Sequence, residues 1–224
     1  CLPKLSDAAG AQWGGSKERY AYRSTTQNGL SDGLMRNWSS ERLREAHVMV
    51  VGCGALGNEV MKNLVLMGVG HLVLVDFDYV EPSNLSRSIL YRSFEIGQRK
   101  VDVAKRALLQ LNPDLRVDTI FGDVAYEVGL GLFRRMDVVV GCVDSRWARY
   151  CIQRLCLRAG KSWVDGGILD LEGTMRVFRP GENCYACSLG EQGLEELRRR
   201  MPCSGVIRRQ EEAHHAPTTP LVAS

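Results

Sequence analysis

The sequence has no long apolar run, since no stretch approaches the roughly 18 consecutive apolar residues that a membrane-spanning helix needs. A secretory signal pattern is also missing from Cys1 to Gln12. Nor is there a strong charge of one sign, because 29 Lys and Arg against 26 Asp and Glu give a net charge of only +3. The run of like charge at Arg198 to Arg200 is typical of a solvated helix end. We therefore expect neither a membrane nor a nucleic acid as partner.

A disulfide framework is not indicated, although cysteine is plentiful. The eight cysteines are irregularly spaced in a chain of 224 residues, which is long enough to bury a full hydrophobic core. This usage favours a reducing compartment, so we expect a cytoplasmic protein. Four of the cysteines fall within apolar or helical patterns and are interpreted as small buried hydrophobic residues: Cys53, Cys142, Cys151 and Cys156.

The composition favours one domain with an extension at its amino end. Residues 38–224 are expected to form the domain, since 45% hydrophobic and 25% charged residues are typical of a globular core. Residues 1–37 are expected to form an arm or cap, because most of this segment is rich in Gly, Ser, Thr, Gln and Asn. At the other end, an apolar pattern starts at Leu221 and is not completed, so we expect the domain to be incomplete there.

Short apolar runs alternate with helical spacings along the domain. Strands are predicted at His47 to Gly52, His71 to Asp76, Leu115 to Phe121, Met136 to Asp144, Trp163 to Gly167 and Thr174 to Pro180. Helices are predicted to start at Ser39-Ser40-Glu41, to run from Ala55 to Met67 with Gly68 as terminator, from Gly97 to Asn112, and from the cap Ser145 to Ala159 with Gly160 as terminator. This alternation predicts an α/β, Rossmann-like, doubly wound fold with a mainly parallel sheet, helices on both faces and a ligand at the strands' carboxyl ends.

A glycine-rich loop, GCGALG, lies between the first predicted strand and the next helix. Gly52 permits a tight turn, Gly54 lets a phosphate or ribose approach the backbone, and Gly57 lets the helix pack on the strand. Asp76 ends the following strand about 20 residues later, where its carboxylate can accept hydrogen bonds from ribose hydroxyls. The pattern predicts an adenosine site, and a structural turn without a ligand is the alternative.

The segment after Asp76 distinguishes between two classes of nucleotide. Asn84 and Arg87 follow within VDFDYVEPSNLSRS, and Lys100 follows in GQRKV. Two cations and an amide suit the polyphosphate of ATP, whose transition-state charge must be stabilised. An NAD(P)-dependent oxidoreductase is the alternative, since it would share the glycine loop and Asp76, although it gives the three later residues no joint role. A non-catalytic nucleotide-sensing or scaffold domain is a third interpretation.

Six motifs occur in order along the chain: GCGALGNEV, VDFDYVEPSNLSRS, GQRKVDVAK, Asn112-Pro113, GCVDS and CYAC. In order and spacing they resemble the ThiF/MoeB/HesA family of adenylyltransferases and the adenylation domains of ubiquitin-activating enzymes. The resemblance covers roughly Trp38 to Ser224. It implies that the sheet ends in an additional antiparallel portion and a crossover loop.

The resemblance also implies a reaction. Family members bind ATP·Mg²⁺ and adenylate the carboxy-terminal glycine of a small β-grasp protein, either ubiquitin-like or a sulfur carrier, and release pyrophosphate. On this basis Asp76 and the neighbouring Asp78 would contact the nucleoside, while Asn84, Arg87 and Lys100 would contact the phosphates.

Asp144, in GCVDS, matches an aspartate that the family associates with its metal ion. Its position agrees with this role, because a carboxylate at the carboxyl end of a strand can help to hold the Mg²⁺ that bridges phosphate oxygens. The alternative interpretation is a helix cap.

The segment RYAYR, Arg19 to Arg23, is similar to an RYxR segment of the family with one residue inserted. In the family the second arginine of this segment reaches the ATP site of the partner subunit. Arg23 is the preferred equivalent and Arg19 the alternative. The resemblance therefore implies a homodimer.

Cys184 and Cys187 have the spacing of half a structural zinc site. The second C-x-x-C pair of similar proteins is not present in the sequence. One explanation for the missing pair is that the domain is incomplete at its carboxyl end. A second is that Cys203 with His214 or His215 completes a different site, and a third is that the two cysteines bind no metal.

Cys203 occupies the place of the nucleophilic cysteine that thioester-forming relatives carry on a crossover loop. Arg208, Arg209 or a protonated His214 would favour its thiolate. We expect Cys203 to receive the activated tail as a thioester, with a loop thiol of no function as the alternative.

Overall fold

The computed structural model of the protein describes residues 39–169 and 172–200. Its strands are β1 (His47–Val51), β2 (His71–Asp76), β3 (Arg116–Phe121), β4 (Val138–Gly141), β5 (Trp163–Leu169) and β6 (Glu172–Phe178). Its helices are α1 (Ser40–Glu45), α2 (Ala55–Leu66), α3 (Lys100–Leu111), α4 (Leu130–Arg135), α5 (Arg146–Ala159), α6 (Tyr185–Ser188) and α7 (Glu191–Arg200).

The six strands form one sheet in the order β3-β2-β1-β4-β5-β6. All neighbouring pairs are parallel except β5 and β6, which are antiparallel. Strands β2 and β3 follow β1 on one side of it, and the chain then crosses to place β4 on the other side. Val48 of the central strand β1 therefore pairs with both Leu72 of β2 and Val138 of β4. The predicted doubly wound fold with a terminal antiparallel strand is confirmed. The order reverses between β1 and β4, and such a reversal leaves a crevice beyond the carboxyl ends of the two strands.

The core lies in two layers, one on each face of the sheet. Because side chains alternate along a strand, Val48 and Val50 pack with Met61 of α2 on one face. Met49 and Val51 pack with Ile152 of α5 on the other. Both layers include residues below 1% exposure, so the central strands are apolar on both sides. Burial on both faces explains why β1 and β2 are continuous apolar runs in the sequence.

Helix α5 has both of its predicted ends. Ser145 is its N-cap, with its Oγ accepting a hydrogen bond from the Ala148 N–H at 3.4 Å. Gly160 ends the helix in the left-handed conformation, φ 66°, and donates its N–H to the carbonyls of Cys156 and Leu157. Gly68, predicted to end α2, also has a positive φ of 92°. Polar caps and glycine therefore mark these helix ends correctly.

Helix α3 begins at Lys100, three residues after the predicted start at Gly97. The preceding residues pair instead with the chain beyond β2: the Gly97 N–H donates to the Val80 carbonyl at 2.9 Å and the Lys100 N–H to the Asp78 carbonyl at 3.0 Å. The helical spacing of the apolar side chains gave no sign of this pairing. Its consequence is that Lys100 starts the helix beside Asp78.

Several short helices were not predicted, because three to six residues are too few to show a period. They include α4, α6 and two 3-10 helices, Pro82–Asn84 and Ser93–Glu95. Helix α7 is described as far as Arg200, so the arginine run lies within this helix. Within the described ranges, no helix combines the length and apolar character needed to cross a membrane.

Three of the four cysteines predicted to be buried are buried: Cys53, Cys151 and Cys156. Cys142 is only partly buried, because it follows β4 where the strand opens onto a pocket. Burial raises the pKa of the Cys142, Cys151 and Cys156 thiols to about 12. These thiols are therefore packing residues and poor nucleophiles.

Candidate active site

One pocket lies at the carboxyl ends of β1, β2, β4 and β5, at the point where the strand order reverses. It collects nearly all of the predicted site residues within the described part of the chain. Those that line it are Gly52, Gly54, Asp76, Asp78, Asn84, Arg87, Lys100 and Asp144. Residues separated by as many as six helices and strands in the sequence therefore face one cavity.

The three glycines of the loop have different structural reasons to be glycine. Gly52 has φ 95°, and a Cβ there would lie 2.4 Å from the Cys142 carbonyl oxygen. A Cβ on Gly57 would lie 2.0 Å from the Gly52 carbonyl oxygen. A Cβ on Gly54, by contrast, would have no protein atom within 4 Å, and its φ is −72°. Packing thus requires glycine at 52 and 57, whereas at 54 glycine keeps the backbone accessible from the pocket.

A buried polar network holds the loop in place. Asn58 donates its Nδ2 to the carbonyls of Cys53 and Gly54 at 2.8 and 2.9 Å, and accepts at Oδ1 from the Leu90 N–H at 3.0 Å. The hydroxyl of Tyr91 donates to the Cys53 carbonyl at 2.5 Å. Sequence reasoning missed both residues. The polar Asn58 in the first turn of the helix, directly after the glycine loop, was the available signal.

The Asp76 carboxylate holds the loop from the side of β2. It is 9% exposed and accepts from the Cys53 N–H at 2.6 Å and from the Asp78 N–H at 2.7 Å. Burial raises the pKa of this carboxyl, while nearby Lys100 and the two backbone hydrogen bonds lower it. Each carboxylate oxygen has a second lone pair. Asp76 can therefore anchor the loop and still accept from a ribose hydroxyl.

The residues predicted to contact phosphates lie at one end of the pocket. Lys100 is 4% exposed and donates its Nζ to Asp78 Oδ2 at 2.8 Å. Asn84 is buried and accepts from the Glu81 N–H at 3.0 Å. Arg87 is half-buried and forms no ion pair with another residue in the described ranges. Lys100 is therefore held in place by Asp78, while the charge of Arg87 is not compensated by a carboxylate there.

Asp144 lines the pocket directly after β4. The cap of the following helix is its neighbour Ser145, so the alternative interpretation of Asp144 as the N-cap is not what the structure shows. Asp123, which follows β3, also lines the pocket. Within the described ranges, however, no group of three or more His, Cys, Asp and Glu side chains is arranged to hold a metal ion.

The other end of the pocket contains residues that the sequence analysis did not identify. Arg149 of α5 and the glycines Gly166 and Gly167 of β5 line it. Arg149 donates its Nε to Asp165 Oδ1 at 2.9 Å, and both side chains are largely buried. The available signal was Asp165-Gly166-Gly167 at the carboxyl end of a predicted strand.

Cys184 and Cys187 lie at α6, outside the pocket, with their Sγ atoms 2.7 Å apart. Burial raises the pKa of the Cys184 thiol. The other predicted site residues lie outside the described residues: Arg19, Arg23, Cys203, His214 and His215.

The ThiF family model matches residues 30–224 of the chain. Among curated proteins, the adenylyltransferase and sulfurtransferase UBA4 of Eremothecium gossypii is 38% identical over 149 residues, which are 65% of this chain and 33% of that protein. The sulfur carrier protein adenylyltransferase of Thermus thermophilus is 39% identical over 153 residues, 66% of this chain and 56% of the relative. The SUMO-activating enzyme subunit 2 of Dictyostelium discoideum is 32% identical, over 66% of this chain and 22% of that subunit.

Among solved structures, E. coli MccB with ATP superposes with a TM-score of 0.62 at 24% identity, covering 82% of this chain and 53% of that one. At this identity the likeness concerns the fold alone. The chain spans about a third of the first curated relative's length.

Proposed function

Because the chain belongs to the ThiF family, we propose that it uses ATP to adenylate the terminal glycine carboxylate of a ubiquitin-like or sulfur-carrier protein of the β-grasp fold. The names of the curated relatives support this reaction class, since they include adenylyltransferases and a SUMO-activating subunit. This chain matches only part of each relative, so the relatives' names do not say what happens to the adenylate after it forms. That step is proposed below from residues of this chain.

The observation that carries the proposal is the composition of one pocket. A glycine loop with accessible backbone at Gly54 shares it with the cations Arg87 and Lys100 and with the carboxylate of Asp144. The nicotinamide riboside of NAD(P) matches the part of the pocket around Arg87 and Lys100 poorly, because it has no anionic oxygens for these two cations to bind. A polyphosphate offers several. The pocket therefore favours ATP over NAD(P).

The chemistry is a displacement at the α-phosphorus. An oxygen of the tail carboxylate forms a bond to this phosphorus, and the bond to the departing pyrophosphate oxygen breaks. Arg87 and Lys100 stabilise the negative charge that develops on the phosphate oxygens. Since Asp78 already holds Lys100, little reorganisation is needed when the charge develops. Asp76 and Asn84 would position the ribose and the phosphates.

The carboxylates of the pocket fit a magnesium ion with few protein ligands. Mg²⁺ is usually bound through one or two carboxylates together with phosphate oxygens and water. Asp144 supplies such a carboxylate to the pocket. The ion would supply further neutralisation of phosphate charge.

Cys184 and Cys187 have the sequence spacing of half of a structural zinc site. They lie on one turn, where the Cys187 N–H donates to Cys184 Sγ at 3.2 Å. Two sulfurs bound to one tetrahedral zinc ion would lie about 3.8 Å apart, so the 2.7 Å between these Sγ atoms would have to lengthen on binding. A structural zinc ion would take its other two ligands from outside the described ranges. Cys203 with His214 or His215 is one such source.

The proposal includes a homodimer and a thioester. Arg23, or alternatively Arg19, would reach the pocket of the partner subunit and offset charge on the leaving pyrophosphate. Cys203 would then accept the activated tail, because a thiolate can attack the acyl carbon of the adenylate and release AMP.

ATP–pyrophosphate exchange tests the proposal. A panel of purified β-grasp proteins with free terminal glycine is incubated with the enzyme, ATP and labelled pyrophosphate. We expect exchange with at least one carrier, and a loss of about 10²–10³-fold in Arg87→Ala and Asp144→Ala, as for other lost transition-state contacts. The exposed residues Arg135 and Asp114, outside this pocket, provide matched controls as alanine variants.

Two outcomes would contradict the proposal. If no carrier supports exchange while NAD(H) binds with micromolar affinity or tighter, the oxidoreductase interpretation replaces it. If exchange occurs equally in both pocket variants, the reaction class stands but the residues assigned to the phosphates are wrong.

A further inference from the structure

The pocket has a second positive group at the end away from Lys100. Arg149, five residues after Asp144, lines the cavity from α5, beside the glycines of β5. Its guanidinium is partly exposed, with a side-chain exposure of 16%, and its partner Asp165 is nearly buried. A pocket with a cation at each end is suited to a reaction between two anionic substrates, because each anion can bind to a separate cation.

The contacts of Arg149 hold its side chain in one orientation. Its Nε donates to Asp165 Oδ1 at 2.9 Å, and Nη2 lies 3.4 Å from the Gly166 carbonyl oxygen. Tyr185, from the helix that follows β6, also interacts with this guanidinium. A guanidinium has five N–H donors in a planar fork, so these contacts leave donors for a ligand. Asp165 therefore orients the group without occupying its whole hydrogen-bonding capacity.

The neighbouring glycine leaves space for this guanidinium. A Cβ on Gly167 would lie 3.0 Å from Arg149 Nη2 and 3.1 Å from Thr174 Oγ1. A Cβ here would be in tight contact with both groups, which would have to move by a few tenths of an ångström. The pocket at this point is bounded by a fixed cation and by backbone without side chains, which is suitable for a narrow, extended chain.

Charge supplies the reason for a cation at this end. The incoming carboxylate is an anion and must approach a second anion, the α-phosphate, to within bonding distance. The two negative charges repel at that distance, and the repulsion is stronger in a partly buried site than in water. Arg87 and Lys100 are assigned above to the phosphates. The N–H donors of a guanidinium beside the carboxylate would lower this repulsion, and those that Arg149 does not use for Asp165 and Gly166 are available for it.

We propose that Arg149, oriented by Asp165, binds the terminal carboxylate of the substrate tail and holds it for attack on the α-phosphorus. This inference rests on the adenylation proposed above. In the reaction, one carboxylate oxygen forms the bond to phosphorus and pyrophosphate leaves, with no proton transferred. The other oxygen becomes the acyl carbonyl oxygen and keeps its hydrogen bond to Arg149. Asp165 acts only through Arg149 and is a positioning residue.

Calorimetric titration of the full chain with two ligands tests the proposal. One is AMP, and the other is 5′-O-(N-glycylsulfamoyl)adenosine, an uncleavable analogue of a glycyl adenylate. We expect Arg149→Gln to weaken binding of the analogue at least about tenfold and of AMP by less than about threefold. Arg149→Lys should retain an intermediate affinity, because it keeps the charge and loses the fork. Arg158→Gln, exposed on the same helix, is the matched control.

A second variant separates binding from folding. Arg149→Gln leaves Asp165 without its partner, so the double variant Arg149→Gln/Asp165→Asn removes both charges together. It should show the same selective loss. In exchange assays both variants should raise KM for the carrier and leave KM for ATP unchanged.

Each outcome decides the question. Equal losses for AMP and the analogue would make Arg149 a nucleotide residue and overturn the inference. Unchanged affinity for the analogue in the double variant would overturn it too. If wild-type protein binds neither ligand, the adenylation proposal fails, and the inference fails with it; if it binds AMP but gains nothing from the glycyl group, only the inference fails.

Discussion

At the scale of single residues, two glycines of one loop are under different constraints. A Cβ on Gly57 would meet the Gly52 carbonyl oxygen at 2.0 Å, whereas one on Gly54 would meet no protein atom within 4 Å. We predict that Gly57→Ala lowers the free energy of unfolding by about 2–3 kcal/mol, because backbone atoms cannot move aside cheaply. Urea denaturation would measure this loss.

The matched variant Gly54→Ala should keep the stability within about 0.5 kcal/mol and weaken ATP binding at least about tenfold. Its methyl group would occupy the space through which a phosphate or ribose approaches the backbone. Calorimetric titration with ATP is the measurement. Unchanged ATP affinity in this variant would show that the loop is only a structural turn.

The thiol of Cys142 lines the pocket and is nevertheless predicted to be unreactive. Its pKa is raised from 9.0 to about 12, chiefly by burial and then by the charge of Asp165. At pH 8 the thiolate fraction is then about one in ten thousand, so alkylation should be about a thousandfold slower than for an unperturbed thiol. Between pH 7 and 9 the rate should rise about tenfold per unit.

Iodoacetamide labelling followed by peptide mass spectrometry would measure this rate. The same cysteine in the urea-unfolded chain serves as the reference. Fast labelling of native Cys142 at pH 7 would mean that the thiol is ionised in the pocket, and that its interpretation as a packing residue is wrong.

At the scale of elements, Gln153 joins α5, β5 and α6. Its buried Oε1 accepts from Trp163 Nε1 at 2.7 Å and from the Tyr185 N–H at 3.2 Å. We predict that Gln153→Leu lowers the free energy of unfolding by about 2–4 kcal/mol, because two buried donors lose their acceptor.

The same substitution at the exposed Gln110 of α3 should change stability by less than about 0.5 kcal/mol. Chemical denaturation of both variants makes the comparison. Equal effects at the two positions would show that the hydrogen bonds of Gln153 contribute nothing beyond helix propensity.

At the scale of the whole molecule, the proposed trans arginine makes each pocket depend on two chains. Arg23→Ala and Asp144→Ala should each abolish exchange alone. Mixed and re-equilibrated in equal amounts, they should recover about a quarter of wild-type exchange, because half of the dimers are mixed and each has one complete pocket.

Measurement of exchange before and after mixing tests this expectation. An equal mixture of Arg19→Ala with Asp144→Ala distinguishes the two candidate arginines. No recovery in either mixture, with dimers present by light scattering, would mean that the arginine acts within its own chain. Full exchange by an arginine variant alone would mean that this arginine has no role.

The sequence alone determined the fold class, the glycine loop and most of one end of the pocket. It could do so because strands buried on both faces are continuous apolar runs, and because glycines, caps and strand-terminal carboxylates are local features. Asp76, Arg87 and Lys100 were therefore identified from their spacing to the loop. The start of α3 was misplaced because the pairing of Gly97 with Val80 joins segments that no short window of sequence compares.

Only the tertiary structure decided how these groups are partnered. The strand order accounts for three such contacts: the ion pair between Lys100 and Asp78, the hydrogen bond from the glycine loop to Asp76, and the ion pair between Arg149 and Asp165. Parallel strands bring their carboxyl ends together whatever their separation in sequence, so charges from β2, α3 and α5 share one cavity. Local patterns specify which elements form; the distances between charges on different elements exist only once those elements have packed.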